Sequence, residues 1–590
     1  MDKVIKERSD KIDINELNKS NLSNIQKTIL SKRLSSLEQF EKVLNPSIKN
    51  MENPLNLKDM RKGAERLIKA LKNKEKILCV VDYDQDGIAS GAILKKGFEL
   101  LKVDDRYFEV YVTNRHHDGY GFSLGCARKA LMKNPDVILT ADLGSSDGAN
   151  IDWYLSQEDG KHCDFVITDH HHISEKTPPT NAYAFINPQR KDSEYKDKTI
   201  CGAVVAFNFI LAIRMILKEN NDSLGDFDIK KIMDFTAPAT IADCMDLRSE
   251  MNRYYINYGI TQMNEGSRTA WRVLYEEFCK NGGKIKTDTI AFQLAPRVNA
   301  VSRMGGDGLN ALNFLTSENE IECKTLFKEI TSTNEDRKES QLEGFLKADE
   351  EAQKLSQDNF ALVILIPEIE HGVAGIVASK IVEKYGRPTI ILGKNKDGLF
   401  TGSGRSIEGF DLRKAVVNTQ ERHKTLLKFG GHEAAIGLSM NSEDLDTFRK
   451  DLNIEVEKEY KRLDNLKPII YFDYIFNDSS EITQELYDSL DKLEPYGQNF
   501  QRPSFAIRAK IVHLEWTNKG QGNHMKLIMT DLNNEQLPVA MWFNAASYID
   551  KLNQEDISLI GEIKTVVFEL MESNFRNKKE IQLMISHVAQ

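Results

Sequence analysis

The sequence predicts a multidomain α/β protein. A parallel, doubly wound sheet domain is joined by a long helix to a second α/β domain, and a small β-barrel follows. Three observations predict this. Between Lys76 and Asn187, short apolar runs alternate with stretches of helical period, the pattern of strands covered on both faces by crossover helices. Residues 318–357 carry many charges, a single glycine (Gly344) and no proline, with Leu326, Phe327, Ile330, Leu342, Phe345 and Leu346 at helical spacing. From about residue 461 the text turns to short strands broken by turn residues. The length agrees, since 590 residues hold about three to five domains. A content of 41% hydrophobic and 28% charged residues excludes a wholly disordered chain.

Taken in order, residues 1–50 carry ten Lys/Arg against seven Asp/Glu and are expected to form an N-terminal helical cap. The first α/β domain is expected over 51–320, with strands KILCVV (76–81), YFEVYVT (107–113), DVILTA (136–141), DFVIT (164–168) and AYAFIN (182–187), then helical text from Gly202 to about Leu315. A connecting helix spans 321–357. The second α/β domain covers 358–460, with strands FALVILIP (360–367) and PTIILG (388–393) flanking a helix from about Ala374 to Tyr385, followed by GSGRS and FGGH. The barrel covers 461–590, with IVHLEW, HMKLIMTD, LPVAMWFN and TVVFELME as strands.

Several classes of function are excluded. The start, MDKVIKERSDKIDINE, lacks the apolar core of a signal peptide. The most apolar stretch, Ala203 to Leu217, is broken by Asn208 and Arg214, whereas a membrane span needs about 20 largely apolar residues. The seven cysteines form no Cys-x-x-Cys pair, so a reducing cytoplasm is expected, without a disulfide framework or a zinc ribbon. The net charge of −10 excludes a broadly basic duplex binder, but not a local basic channel.

The chemistry concentrates at the ends of the strands. The first runs into Asp82-Tyr-Asp84-Gln-Asp86-Gly87. On an extended segment the three carboxylates would project to one side, an arrangement that calls for a cation. Gly87 is expected to turn the chain into a helix starting at Ile88. An EF-hand is excluded, because Ile93 stands where that loop needs Glu. Asp142 ends a third strand, and Thr168-Asp169-His170-His171-His172 ends a fourth. A carboxylate followed by imidazoles suits Mn2+, Zn2+ or Fe2+ better than Ca2+. Asp243 follows an apolar helical stretch. The carboxyl edge of a parallel sheet is where open α/β folds place ligands. These groups suit two divalent metals about 3.5–4 Å apart, the arrangement of two-metal phosphodiester hydrolysis.

These motifs in this order resemble the DHH phosphoesterase superfamily, most closely its single-strand-specific 5′→3′ DNA exonucleases. The resemblance covers nearly the whole chain. It rests on NPLNLKDMRKGAERL (53–67), DYDQDG (82–87), NRHHDGYGFS (114–123), TADLG (140–144), TDHH (168–171), TIADCMDL (240–247), LAPRVNAVSRMG (294–305), GVAGIVASKIVEKYGRP (372–388), GSGRSIEGFDL (402–412), FGGHEAAIGL (429–438) and LEPYGQNFQRPSF (493–505). Two departures stand out. Leu143 follows the second-motif Asp where the family often has Asn or Cys, and His371 is displaced by one position from the family's Trp-His pair.

The resemblance implies a DHH-type catalytic domain, a DHH-associated domain and an OB-fold-like nucleic-acid-binding domain. It implies that Asp82, Asp84, Asp86, Asp142, His170 and Asp243 hold two Mn2+ or Mg2+ ions, with Asp142 as the bridge. Asp169 would orient His170, and His171 would contact the scissile phosphate or assist the leaving oxygen. A pocket for the 5′ phosphate would be built from Ser403, Arg405, Gly430, Gly431 and His432, bordered by Arg115, Tyr120, Arg297 and Asn299. In the barrel, Trp516, Trp542 and Phe543 would stack on bases, and Lys519, His524 and Lys526 would meet phosphates. The implied partners are single-stranded DNA, single-strand-binding protein and a helicase, with no membrane, and the chain is expected to be monomeric. Two other readings of the same motifs are a phosphodiesterase for short RNA or cyclic dinucleotides and a non-catalytic replication scaffold.

Overall fold

The structure is a computed structural model that describes residues 4–279, 283–463, 469–517, 524–543, 545, 559–575 and 578–589. The chain divides into two compact units, one of residues 51–245 and 255–465, the other of residues 1–50, 246–254 and 466–590. The expected domain limits therefore differ from these units at one place in particular. The N-terminal cap belongs with the C-terminal barrel.

The larger unit contains two sheets. The first is five-stranded and wholly parallel: β1 (Ile77–Val81), β2 (Phe108–Val112), β3 (Val137–Ala141), β4 (Asp164–Thr168) and β5 (Ala184–Ile186), in the order β2-β1-β3-β4-β5. The central strands β1 and β3 are buried at every position, which is why they read as unbroken apolar runs rather than alternating ones. One face packs Phe122, Ile151, Tyr154 and Phe165. Helices α1 (Met60–Asn73), α2 (Gln85–Leu100), α3 (Leu124–Lys133), α4 (Gly148–Ser156) and α5 (Gly202–Glu219) surround the sheet. Helix α2 begins at Gln85, three residues earlier than expected. Asp84 is its N-cap, accepting from the backbone N–H groups of Asp86 and Gly87 at 3.0 and 3.1 Å.

After α6 (Thr236–Ala242) and α7 (Ala295–Arg303), the expected connecting helix is α8 (Glu320–Leu355). It is capped by Asn319, which accepts from the N–H groups of Ile321 and Glu322. The second sheet comprises β6 (Leu362–Leu365), β7 (Thr389–Lys394), β8 (Phe400–Arg405), β9 (Leu426–His432) and β10 (Ala435–Met440), ordered β9-β10-β8-β7-β6. Only β6 and β7 are parallel. GSGRS and FGGH, readable as two tight turns, instead lie largely on strands β8 and β9. Helix α9 (His371–Tyr385) packs against this sheet through Val373, Val377 and Ile381.

In the smaller unit, β11 (Ser504–Trp516), β12 (Met525–Thr530), β13 (Ala540–Trp542), β14 (Ile563–Phe575) and β15 (Lys578–Val588) form a ring closed by pairing of β11 with β14. Closure removes the sheet edges. The strand Val4–Glu7 pairs in parallel with Ile469–Phe472. Arg33 binds Asp473 through Nε and Nη2 at 2.9 and 2.7 Å. Arg253 is 1% exposed and has no carboxylate partner among the described residues. It donates instead to the carbonyls of Val43, Leu247, Leu493, Glu494 and Pro495 at 2.7–3.2 Å. Phe500 lies between the two guanidinium groups, 5.7 Å from Arg33 and 4.8 Å from Arg253.

All seven cysteines are unpaired and six are buried. No helix among the described residues is long and apolar enough to cross a membrane.

Replacing Arg253 strands four buried carbonyls and one half-buried one, each buried one costing about 1–3 kcal/mol when left without a partner. Arg253→Met is expected to destabilise the smaller unit by at least about 3 kcal/mol. Urea unfolding followed by the fluorescence of the barrel tryptophans checks this.

Candidate metal centre

The carboxyl edge of the first sheet gathers the predicted ligands. Asp82 leaves β1, and its Oδ1 accepts from its neighbour Tyr83 N–H at 2.9 Å. Asp84 caps α2, and Asp86 stands in that helix's first turn. The three therefore converge through a strand-to-helix turn rather than along an extended segment. Gly87 is needed for close approach, not for a turn: a Cβ there would lie 2.3 Å from the Asp82 carbonyl oxygen. Asp142 follows β3 in the left-handed region (φ +63°), costly for a non-glycine residue and typical of functional sites. Asp243 is the C-cap of α6.

His170 Nε2 lies 3.2 Å from Asp142 Oδ1, 3.4 Å from Asp243 Oδ2 and 3.5 Å from Asp86 Oδ2. Three overlapping groups have ligand atoms within 4.8 Å of one another: Asp82, Asp84 and Asp142; Asp86, His170 and Asp243; Asp142, His170 and His171. Asp142 belongs to two of them. Both Asp142 Oδ1 and His170 Nε2 are buried without a hydrogen-bond partner. Five carboxylates at the edge of an apolar sheet repel one another strongly. Burial, then Asp86, Asp84 and Asp82, pushes Asp142 well above the carboxylate range. Burial and Asp84 raise Asp82 to about 7, and burial with Asp86 raises Asp243 to about 8. Orphaned oxygen and nitrogen donors amid uncompensated negative charge fit divalent cations.

Asp169 sits behind this cluster. Its Oδ1 accepts from His171 Nδ1 at 2.8 Å and from the His170 N–H at 2.7 Å, and its Oδ2 accepts from the Ser145 N–H at 2.8 Å. The expectation that it orients the His170 ring is corrected: the ring it holds is that of His171. Burial opposes charge on His171, but its hydrogen bond to Asp169 and the surrounding carboxylates outweigh this and raise it to about 10. Burial lowers His170, keeping it a neutral donor.

A basic cluster flanks the acidic one. Arg115 Nε donates to Tyr83 Oη at 3.0 Å, and the guanidinium lies 4.7 Å over the Tyr83 ring. Arg405, at the end of β8, lies against Gly375 of α9, where a Cβ would come within 2.8 Å of Nη2. Burial and Arg115 lower the Arg405 pKa. Burial, Arg115 and Arg337 lower Arg303 to about 10. Arg303 Nη1 donates to the Gly372 carbonyl at 3.1 Å. None of these four arginines has an ion pair among the described residues. Ser403 and Arg405 align in register with Gly430 and His432 across β8, β10 and β9, the last two exposed. Tyr120 is 64% exposed, with its ring edge-on to His171. His371 lies beside Arg115 and His116.

Two expected pocket residues lie elsewhere. Arg297 is buried against Phe278 and Phe327 and bonds Gln293 and Thr331. It ties α7 to α8, and Arg303, two turns on, reaches the cluster instead. Asn299 Oδ1 accepts from the Gln85 N–H at 2.7 Å, fixing the start of α2. In the barrel, Trp542 is 5% exposed; it is a core residue and not a stacking platform. Phe543 is exposed and contacts His524 at 4.7 Å. Trp516 and Lys526 are half-buried. Lys519 lies outside the described residues.

Gly202 and Ala203 were not singled out in the sequence. Their N–H groups, at the start of α5, each donate to Asp86 at 2.7 Å, a helix N-terminus holding an anion. A Cβ on Gly202 would lie 2.5 Å from Asp142 Oδ1. The only sequence signal was the small residue opening the helix.

Such a sheet edge, with a second α/β lobe and a closed five-stranded barrel on the same chain, defines a metal-dependent hydrolase of the DHH phosphoesterase type. The sequence matches three family descriptions: the DHH family, N-terminal domain, over residues 76–240; the DHHA1 domain over 358–458; and the RecJ OB domain over 477–587. It is 30% identical over 536 residues to the single-stranded-DNA-specific exonuclease RecJ of Dickeya dadantii, covering 89% of each chain. With the Escherichia coli K12 protein of the same name it is 27% identical over 578 residues, 96% of this chain and 95% of that one. The chain belongs to the RecJ family. A crystal structure of Thermus thermophilus RecJ with Mn2+ matches the fold with a TM-score of 0.78 at 22% identity, over all of this chain and 79% of that one. A manganese-bound exonuclease RecJ matches with a TM-score of 0.58 at 27% identity, over 70% of this chain and 97% of that one.

Two predictions follow from the geometry. Gly202→Ala is expected to weaken Mn2+ binding about 10–100-fold while leaving the far-UV circular dichroism unchanged; calorimetry checks the affinity. Burial and the neighbouring carboxylates raise Asp82 to about 7 and Asp243 to about 8 in the folded, ion-free chain, against 3.8 for an ordinary aspartate. Their protonation therefore favours the ion-free fold, and that stability is lost as pH rises through about 7–8. The melting temperature of the ion-free chain is expected to fall from pH 6 to 9, and saturating Mn2+ to abolish the fall, in scanning fluorimetry.

Proposed function

We infer that this protein is a single-stranded-DNA-specific 5′→3′ exonuclease that hydrolyses phosphodiester bonds, releases 5′-mononucleotides and serves DNA recombination and repair. The observation that carries this reading is the juxtaposition, in one compact unit, of a cation-demanding acidic cluster with a cluster of arginines lacking carboxylate partners. Tyr83 links them, standing between two predicted ligands and accepting from Arg115.

Asp82, Asp84, Asp86, Asp142, His170 and Asp243 would hold two Mn2+ or Mg2+ ions. When bound, these would offset the charge of the scissile phosphate and activate water for attack on phosphorus. The chain's own groups do the rest. Asp169 accepts a hydrogen bond from His171 Nδ1 and holds the ring in its charged form, leaving Nε2–H to donate to the phosphate or the leaving oxygen. Arg115, Arg303 and Arg405 engage the terminal 5′ phosphate, with guanidinium forks suited to phosphate oxygens. Ser403 and the Gly430 backbone, where a Cβ would meet nothing within 4 Å, add hydrogen-bond donors beside Gly431, whose own Cβ position lies 2.2 Å from the Ala435 carbonyl oxygen. Binding the 5′ end beside the cleavage site sets both the polarity and the one-nucleotide step. The barrel, through Trp516, His524, Lys526 and Phe543, holds single-stranded DNA by stacking and phosphate contact. A monomeric, cytoplasmic enzyme working beside single-strand-binding protein and a helicase completes the reading.

Digestion of end-labelled strands tests it. With Mn2+, a 5′ label is expected to appear at once as mononucleotide, and a 3′ label only late. Immediate release of the 3′ label, or preference for short RNA, overturns the reading. Asp142→Ala is expected to abolish cleavage across a full metal titration. Arg405→Ala is expected to lower kcat/KM for 5′-phosphorylated ends at least about tenfold while leaving Mn2+ affinity unchanged, since a charged hydrogen bond contributes about 1.5–3 kcal/mol.

A further inference from the structure

A cavity of about 930 Å³ lies against the metal centre, sharing His170 as a wall. It is lined further by His172, Lys62, Tyr183, Gln189 and Lys191, and neither the hydrolysis nor the 5′-phosphate pocket uses it. Its volume is that of a small-molecule site. Its place in the sheet is informative. Along the carboxyl edge the strand order is β2-β1-β3-β4-β5. Arg115 follows β2, Asp82 follows β1, Asp142 follows β3, the histidines follow β4, and Gln189 and Lys191 follow β5. The arginine cluster and the cavity thus stand at opposite ends of one edge, with the acidic cluster between.

The lining suits a nucleotide. Arg190 is held by Asp59 at 2.8 Å and Asp192 at 2.7 Å, a trio with one negative charge in excess. With Glu175 the lining is formally neutral, and Lys62 and Lys191 are its cations without ion pairs among the described residues. Lys62 Nζ lies 4.8 Å over the Tyr183 ring, and Tyr183 is 36% exposed. An exposed aromatic backed by an ammonium group, next to a second one, presents a stacking face and phosphate-directed charge together.

We propose that this cavity is the subsite for the nucleotide on the 3′ side of the scissile bond, with its base stacked on Tyr183 and its downstream phosphate facing Lys62 and Lys191. The proposal rests on the exonuclease reading. With the 5′ end at the arginines and the scissile phosphate at the acidic cluster, a strand that keeps its direction along this edge continues toward β5.

The test is a thermodynamic cycle on the first cut. Metal-loaded full-length protein is given a 5′-labelled, 5′-phosphorylated strand in single turnover, with the second nucleotide either intact or abasic. Tyr183→Ala is expected to lower kcat/KM about tenfold on the intact strand, the order of one base stack, through KM rather than kcat. Tyr183→Phe restores it. On the abasic strand the wild type loses the same factor, and Tyr183→Ala costs nothing more. Lys62→Gln, at an exposed position, provides a second variant, expected to raise KM on both strands. Equal losses from Tyr183→Ala on both strands, or no loss on either, overturn the subsite. A wild type that cuts neither strand with any divalent metal overturns the exonuclease reading and the subsite with it, and the unmutated control alone shows this.

Discussion

Repulsion among five carboxylates packed around one imidazole is the constraint on which the rest of this structure depends. Each of the surrounding features serves to hold that charge in place. The central strands are buried on both faces, so their ends cannot splay apart. The capping bonds of Asp84 and the N-terminus of the helix opening at Gly202 supply partial positive charge without competing cations. Glycine appears where a methyl group would meet a ligand or its backbone, at Gly87 and Gly202. Asp142 accepts an unfavourable backbone conformation to reach both halves of the cluster. These devices are costly without cations, and the raised carboxylate pKa values are the measure of that cost.

The second organising element is the opposite charge beside it. Arg115, Arg303, Arg337 and Arg405 come from a loop, a helix end, the middle of the long helix and a strand end. No local sequence pattern unites them. Three of them have depressed basicity, with burial as the first cause. Groups held in this way gain from any polyanion that enters.

Much of this was legible in the sequence, because strands buried on both faces and acidic strand ends leave strong local signals. The five strands of the first sheet and the long helix were readable in that way, and so were the acidic strand ends that the fold brings together around His170. What escaped depended on geometry that spacing does not carry. Arg297 and Arg303 are six residues apart on one segment, and only the packing of Arg297 against Phe278 and Phe327 decides which one reaches the cluster. Trp542 alternates with its neighbours as a surface aromatic could, yet closure of the barrel turns it inward. Gly202 looks like any small residue opening a helix until the Asp142 side chain is placed against it.

The pairing of Arg33 with Asp473 also sets a timetable for synthesis. The two residues are 440 positions apart, and Phe500, packed between Arg33 and Arg253, emerges later still. At ribosomal rates of 5–20 residues per second, the first segment waits roughly 20–90 s for its partner. Throughout that interval the intervening catalytic unit can complete its own core. The N-terminal cap, by contrast, keeps Arg33 without its carboxylate and ring partners until the barrel is made. A chain truncated before Asp473 would thus leave the ribosome with an intact catalytic unit and a cap lacking its partners, a natural target for chaperones and for proteolytic clearance.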